Sequence, residues 1–177
     1  HLTGRMPLHV EALWRYPVKS LAGERLSSAT IGPEGIPGDR IVRVRGPEGV
    51  RTSRRRTRLL GLRRTLDQDG RTLIDGHPWD SADALALVRD AAGTDAWLEA
   101  WRGLDRFDIL PLLVATDGAV AASDIVVGGV DGLAEREWPG AELRIADAIV
   151  RLDSLRSRCR MTTIDPDTLQ VEPGVIR

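Results

Sequence analysis

Cys159 is the only cysteine of the 177-residue chain, and it sits among Arg156, Arg158 and Arg160. Nearby positive charge favours thiolate over thiol, which makes the sulfur a nucleophile or a soft-metal ligand. A lone cysteine also fits the role of a small half-buried hydrophobe. No catalytic triad frames it, because His1, His9 and His77 are scattered far from it and show no metal-ligand spacing. A second set of reactive types is Tyr16-Pro17-Val18-Lys19-Ser20, where a rigid turn runs into an ammonium and a hydroxyl, donors suited to clamping an anion. Lys19 is the only lysine among 25 basic residues. Either arginine-rich codon usage accounts for this, or the position needs a compact ammonium that arginine cannot supply. The third set is a run of arginines: Arg51, Arg54, Arg55, Arg56, Arg58, Arg63 and Arg64. It suits a solvated edge strand, a phosphate site or an RNA-binding patch. No aromatic side chain is interleaved, which weakens the RNA reading.

These residues need a frame, and the composition is that of an ordinary globular chain. Hydrophobic residues make up 42% and charged residues 29%, with a net charge of −1, so no global field draws the chain to nucleic acid or membrane. The length suits one domain or two intimately packed regions, read as 8–95 and 96–177 in one compact unit. A single cysteine excludes an internal disulfide framework. No apolar run is long enough to span a bilayer and no secretory leader is visible, so a cytoplasmic location is expected.

The pattern along the chain is mostly β. Strands are expected at 10–14, 40–45, 72–74, 109–115, 125–127, 143–145 and 149–155. Turns punctuate them at the repeated Gly-Pro-Glu-Gly of 32–35 and 46–49 and at Asp67-Gln68-Asp69-Gly70. Residues 58–66 mix Leu and Arg ambiguously. Asp80 or Ser81 caps a helix reaching about Ala92, and Thr94 caps a second one carrying Trp97, Leu98 and Trp101. The expected class is therefore mainly β (α+β), a β-barrel or sandwich with a few short inserted helices. No two glycines lie two positions apart, which excludes a Gly-x-Gly-x-x-Gly dinucleotide fingerprint.

Taken in order, the segments resemble the MOSC family, which includes the mitochondrial amidoxime-reducing components and the C-terminal domain of molybdenum-cofactor sulfurases. The resemblance rests on five pieces. They are Tyr16-Pro17-Val18-Lys19-Ser20 with Gly23, Gly35-Ile36-Pro37-Gly38-Asp39-Arg40, Thr52-Ser53-Arg54, Trp138-Pro139-Gly140, and the stretch from Arg158-Cys159-Arg160-Met161-Thr162-Thr163 through Asp165-Pro166-Asp167-Thr168. It implies a MOSC-like β-barrel and a molybdenum cofactor, the metal held by a pyranopterin dithiolene. Cys159 would be the metal's protein ligand and the catalytic residue. Lys19, Ser20 and Arg54 would hold the pterin's phosphate, with Thr52 and Arg158 in the same cofactor-binding set. The implied activity is two-electron reduction of N-hydroxylated small molecules by oxygen-atom transfer. A separate redox protein would supply the electrons, and no nucleic acid or membrane takes part. The alternative is a non-catalytic carrier of the cofactor or its sulfur. Two departures bear on that choice. Ala121-Ala122-Ser123-Asp124 stands where the family has an Arg-x-Arg-Pro-Asn stretch, and the chain ends at Arg177, ahead of the family's final strand.

Overall fold

The computed structural model describes residues 7–116, 123–130 and 134–155. Arg158 and Cys159, with the segment around them, lie outside the described residues. Among the described residues, twelve short strands carry the fold. They are β1 (His9–Arg15), β2 (Glu24–Leu26), β3 (Val42–Gly46), β4 (Gly49–Val50), β5 (Arg64–Leu66), β6 (Thr72–Ile74), β7 (His77–Pro78), β8 (Trp97–Ala100), β9 (Val114–Thr116), β10 (Ile125–Gly128), β11 (Glu142–Ile145) and β12 (Ala148–Arg151). One α-helix, α1 (Ala82–Ala92), joins them, with 3₁₀ turns at Thr57–Gly61, Leu104–Arg106 and Ala134–Glu137. Among the described residues the strands group into four sheets, ordered β2-β1-β10-β9, β4-β3-β8, β5-β6-β7 and β11-β12. Among the described residues the chain is thus mainly β with one helix.

Local sequence explains the strongest elements. In β3, Val42 and Val44 are buried while Arg43 and Arg45 alternate toward the opposite face, the period-2 pattern of a strand with one covered side. All four residues of β10 are buried, as expected of a continuous apolar run covered on both faces. β10 pairs antiparallel with β1 and parallel with β9. Ser81 caps α1, its hydroxyl accepting from the Ala84 amide at 3.2 Å. Ala84, Val88 and Ala92 of α1 pack on Val42, Val44 and Leu59 in one core. A second core gathers Ile125, Val127 and Val150.

Two expectations are corrected. The segment carrying Trp97 and Leu98 is strand β8, not a helix, and pairs with β3 in the register Arg43↔Glu99 and Arg45↔Trp97. Cross-strand ion pairs and ring contacts win there over helical spacing. Between 109 and 115, only the last residues enter β9, and Ile109 and Leu110 stand 60% and 48% exposed. Pro111 has no N–H to give a ladder, so pairing starts only after it.

Candidate functional site

Three segments distant in sequence meet at one cavity of about 200 Å³, to which Lys19, Thr52 and Arg54 all contribute. After β1 the chain turns at Pro17, and Val18 bridges Val42 at the start of β3. The Lys19 amide donates to the Val42 carbonyl at 2.8 Å, which fixes the root of the side chain. Its Nζ donates to Asp108 Oδ1 at 2.7 Å and to the Arg106 carbonyl at 3.2 Å. Thr52 and Arg54 follow β4 in a tight turn, where the Thr52 carbonyl accepts from the amides of Arg55 and Arg56. That turn leaves Arg54 exposed at the cavity. Ser20 takes a left-handed backbone with φ of 71° and is not among the residues that line the cavity.

The structure adds residues that sequence reasoning did not single out for the site: Arg40, Arg43, Trp101, Arg106 and Asp108. Arg40 arrives through the Gly35-Ile36-Pro37-Gly38 turn, whose glycines have φ of 83° and 83°. A Cβ at Gly35 would meet the Pro111 carbonyl at 2.9 Å, and one at Gly38 would meet Leu66 at 2.6 Å. Only glycine allows that approach and that backbone. Arg40 itself is left-handed, with φ of 52°, a strained conformation of the kind found at functional positions. Its Nη1 donates to Asp39 and, at 3.1 Å, to Asp124. Tyr16 lies beneath the guanidinium at 5.3 Å, and the Tyr16 amide donates to Asp39 Oδ1 at 2.6 Å. Arg43 stacks on Trp101 at 3.7 Å and pairs with Glu99. Arg106 is buried and donates to the Asp39, Arg102 and Gly103 carbonyls and to Glu34.

Nearly every cation is thus already matched. Lys19 has Asp108, Arg40 has Asp39 and Asp124, Arg43 has Glu99, and Arg106 has Glu34. Among the described residues, Arg54 is the lining cation with no carboxylate bonded to it. Burial pushes the Asp124 carboxyl up to about 6, the charge of Asp39 adds to this, and Arg40 opposes it. Asp39 is raised by the same burial, offset by Arg40 and the Tyr16 amide. The cavity is smaller than the roughly 300–1,000 Å³ of a site that encloses a whole drug-sized ligand. Its size and donors suit one charged end of a ligand, an oxyanion held by ammonium, hydroxyl and guanidinium. The exposed Asp108 carboxylate, seated on Lys19, occupies the place such an anion would take.

The arginine run divides. Arg51 is a buried structural pin that forks onto Glu48 and Asp95 and bonds the Ala92 carbonyl. Arg54, Arg55, Arg56, Arg58 and Arg63 are exposed, whereas Arg64 is buried. A solvated edge therefore describes only part of it. The Gly-Asp-Arg turn was the available signal for Arg40. Nothing local in the sequence marks Arg106 or Asp108, because both reach the cavity through tertiary contacts alone. No group of three or more metal-ligating side chains forms among the described residues, and no helix among them is long and apolar enough to cross a membrane.

Comparison with protein families matches residues 8–121 to the MOSC N-terminal beta barrel domain. A search of curated proteins finds no match. The matched span contains Lys19, Arg40, Thr52, Arg54 and the rest of the cavity lining. With well over half of its length in that domain, the chain belongs to the MOSC family.

Proposed function

We propose that this chain binds a molybdenum cofactor and uses it to reduce N-hydroxylated small molecules, with a separate redox protein supplying electrons in the cytoplasm. One observation carries the reading: Lys19, more than thirty residues from Thr52 and Arg54 in sequence, meets both at one cavity with the donors an oxyanion requires. Lys19 and Arg54 would take the phosphate end of the cofactor by charge and Thr52 by its hydroxyl. Ser20 and Arg158 belong to the same proposal through the family pattern. Asp108 has to leave Lys19 for that anion to bind, and its side chain is half exposed. Arg40, clamped by Asp39 and Asp124, gives the cavity a fixed cationic wall. Cys159 would supply the thiolate that a soft, redox-active metal prefers. When bound, the cofactor supplies a metal able to accept an oxygen atom from an N–O bond. The chain's own contribution is to anchor the anionic end and orient the group.

The carrier reading draws on the stretch 121–124, where the polar residues common in the family are replaced. Turnover of an amidoxime or hydroxylamine with an artificial electron donor separates the two. Turnover that disappears in Cys159→Ser supports the reductase. Bound molybdenum without turnover transfers the chain to the carrier reading, and protein with neither overturns both.

A further inference from the structure

A row of unmatched surface charge begins at Arg54 and continues along the turn behind it. Between Glu48 and Asp67 the chain has seven arginines and no carboxylate, in a protein whose net charge is −1. Arg54, Arg55 and Arg56 are consecutive and exposed. Among the described residues none of these three guanidiniums has an ion pair or a hydrogen-bond partner. Arg58, Arg71 and Arg151, exposed as well, hold Asp90, Asp80 and Glu142. Arg56 acts through space on Asp95, but Arg51 already forks onto that carboxylate at 2.7 and 2.9 Å.

The backbone holds the row in place. The Thr52 carbonyl accepts from the Arg55 and Arg56 amides at 3.1 and 3.0 Å, and the Arg56 carbonyl accepts from the Leu59 amide at 3.0 Å. Ser53 and Leu59, on either side of the row, are buried. Arg54 lines the cavity, and Arg102, which follows the lining residue Trp101, is exposed without an ion pair too. The carboxylates that line the cavity are engaged, Asp108 by Lys19 and Asp105 by Trp101 Nε1. Neighbouring like charges repel and add nothing to the fold. They suit a partner that brings carboxylates, which guanidinium forks bind in pairs. Nucleic acid suits the row less well, because no aromatic ring is interleaved for base stacking. Transient redox encounters use small interfaces steered by charge.

We infer that Arg55, Arg56 and Arg102 form a docking surface for an acidic protein, the one that brings electrons to the adjacent cavity. The partner's redox role rests on the reductase reading, whereas its acidity rests on the arginines alone. Each docking oxidises one reduced partner by one electron. Two dockings supply the pair that, with two protons from solvent, converts an N-hydroxyl group to N–H and water.

Calorimetric titration of the full chain with an acidic ferredoxin and with an acidic flavodoxin, at about 20 and about 200 mM sodium chloride, tests the surface. At least one should bind at the lower salt and weaken about tenfold at the higher. Arg55→Glu combined with Arg56→Glu should cost about tenfold in affinity at the lower salt. Arg25→Glu combined with Arg71→Glu makes the same change in net charge at exposed positions that do not line the cavity, and should stay within about twofold. Failure of both proteins to bind the wild type overturns the inference. Equal losses in the two double variants overturn it too, as does tighter binding of a uridine oligonucleotide than of either protein. Amidoxime turnover with an artificial electron donor should be unchanged in the Arg55→Glu, Arg56→Glu variant, and its loss there would count against a docking role. Wild-type protein that binds ferredoxin through these arginines yet shows no such turnover overturns the reductase reading and leaves the acidic docking surface standing.

Discussion

Arg40 and Arg64 show two ways of taking a guanidinium out of water. Arg40 keeps 18% of its side chain exposed and holds two carboxylates, Asp39 and Asp124, each at most 2% exposed. Arg64 is almost wholly enclosed and bonds none. The first arrangement leaves one face of a fixed cation toward a cavity and suits binding. The second spends desolvation with no partner among the described residues and leaves no face open to a ligand. A buried arginine is therefore not a category of its own, because the charges around it decide what it can do.

The comparison is broken most directly by exchanging each arginine for methionine. Arg40→Met leaves Asp39 and Asp124 buried without their cation and should cost about 3–5 kcal/mol in urea unfolding. Arg64→Met should be neutral or stabilising by about 1–3 kcal/mol. Equal losses would erase the distinction. Next in size is a pH effect. The folded pKa of Asp124, about 6, stands above the ordinary 3.8, so the folded state holds that proton more tightly and ionisation destabilises it. Wild type should lose stability relative to Asp124→Asn as pH rises from about 4 through 6, by roughly 1–3 kcal/mol, with no further change above. A difference in urea midpoints that is flat over that window would contradict the burial argument.

Smaller effects sharpen the cavity side. Sulfate stays a dianion across this range and reports the anion site without the metal. Lys19→Ala should weaken its binding about tenfold by calorimetry, while Arg63→Ala stays within about twofold. Asp108→Asn should tighten sulfate about threefold by removing the carboxylate that competes for Lys19. Weaker binding in that variant would mean that Asp108 supports the site.

The sequence disclosed the parts governed by local rules. The alternation of 40–45 yields β3, the run at 125–127 yields β10, and the Gly-Pro-Glu-Gly segments fall at turns. It misled where spacing is ambiguous, since Trp97, Leu98 and Trp101 fit a helix face by spacing, whereas Trp97 and Leu98 lie in β8 and Trp101 just after it. In the site, Lys19 and Arg54 were legible because their types suit an anion, and Thr52 through the family resemblance of Thr52-Ser53-Arg54. Arg43, Arg106 and Asp108 were not, because only tertiary contacts bring them to the cavity. Arg63 and Arg64 show the limit most clearly. Identical neighbours point to opposite faces of one hairpin, one into water and one into the core, and composition cannot distinguish them.

The central proposal is that the cavity and Cys159 together hold a molybdenum cofactor. Elemental analysis of protein purified from a molybdenum-replete host tests it most directly. Near-stoichiometric molybdenum in the wild type, lost in Cys159→Ser while the circular dichroism spectrum is unchanged, is the expected result. Molybdenum-free wild-type protein, or full metal content in the serine variant, would contradict it.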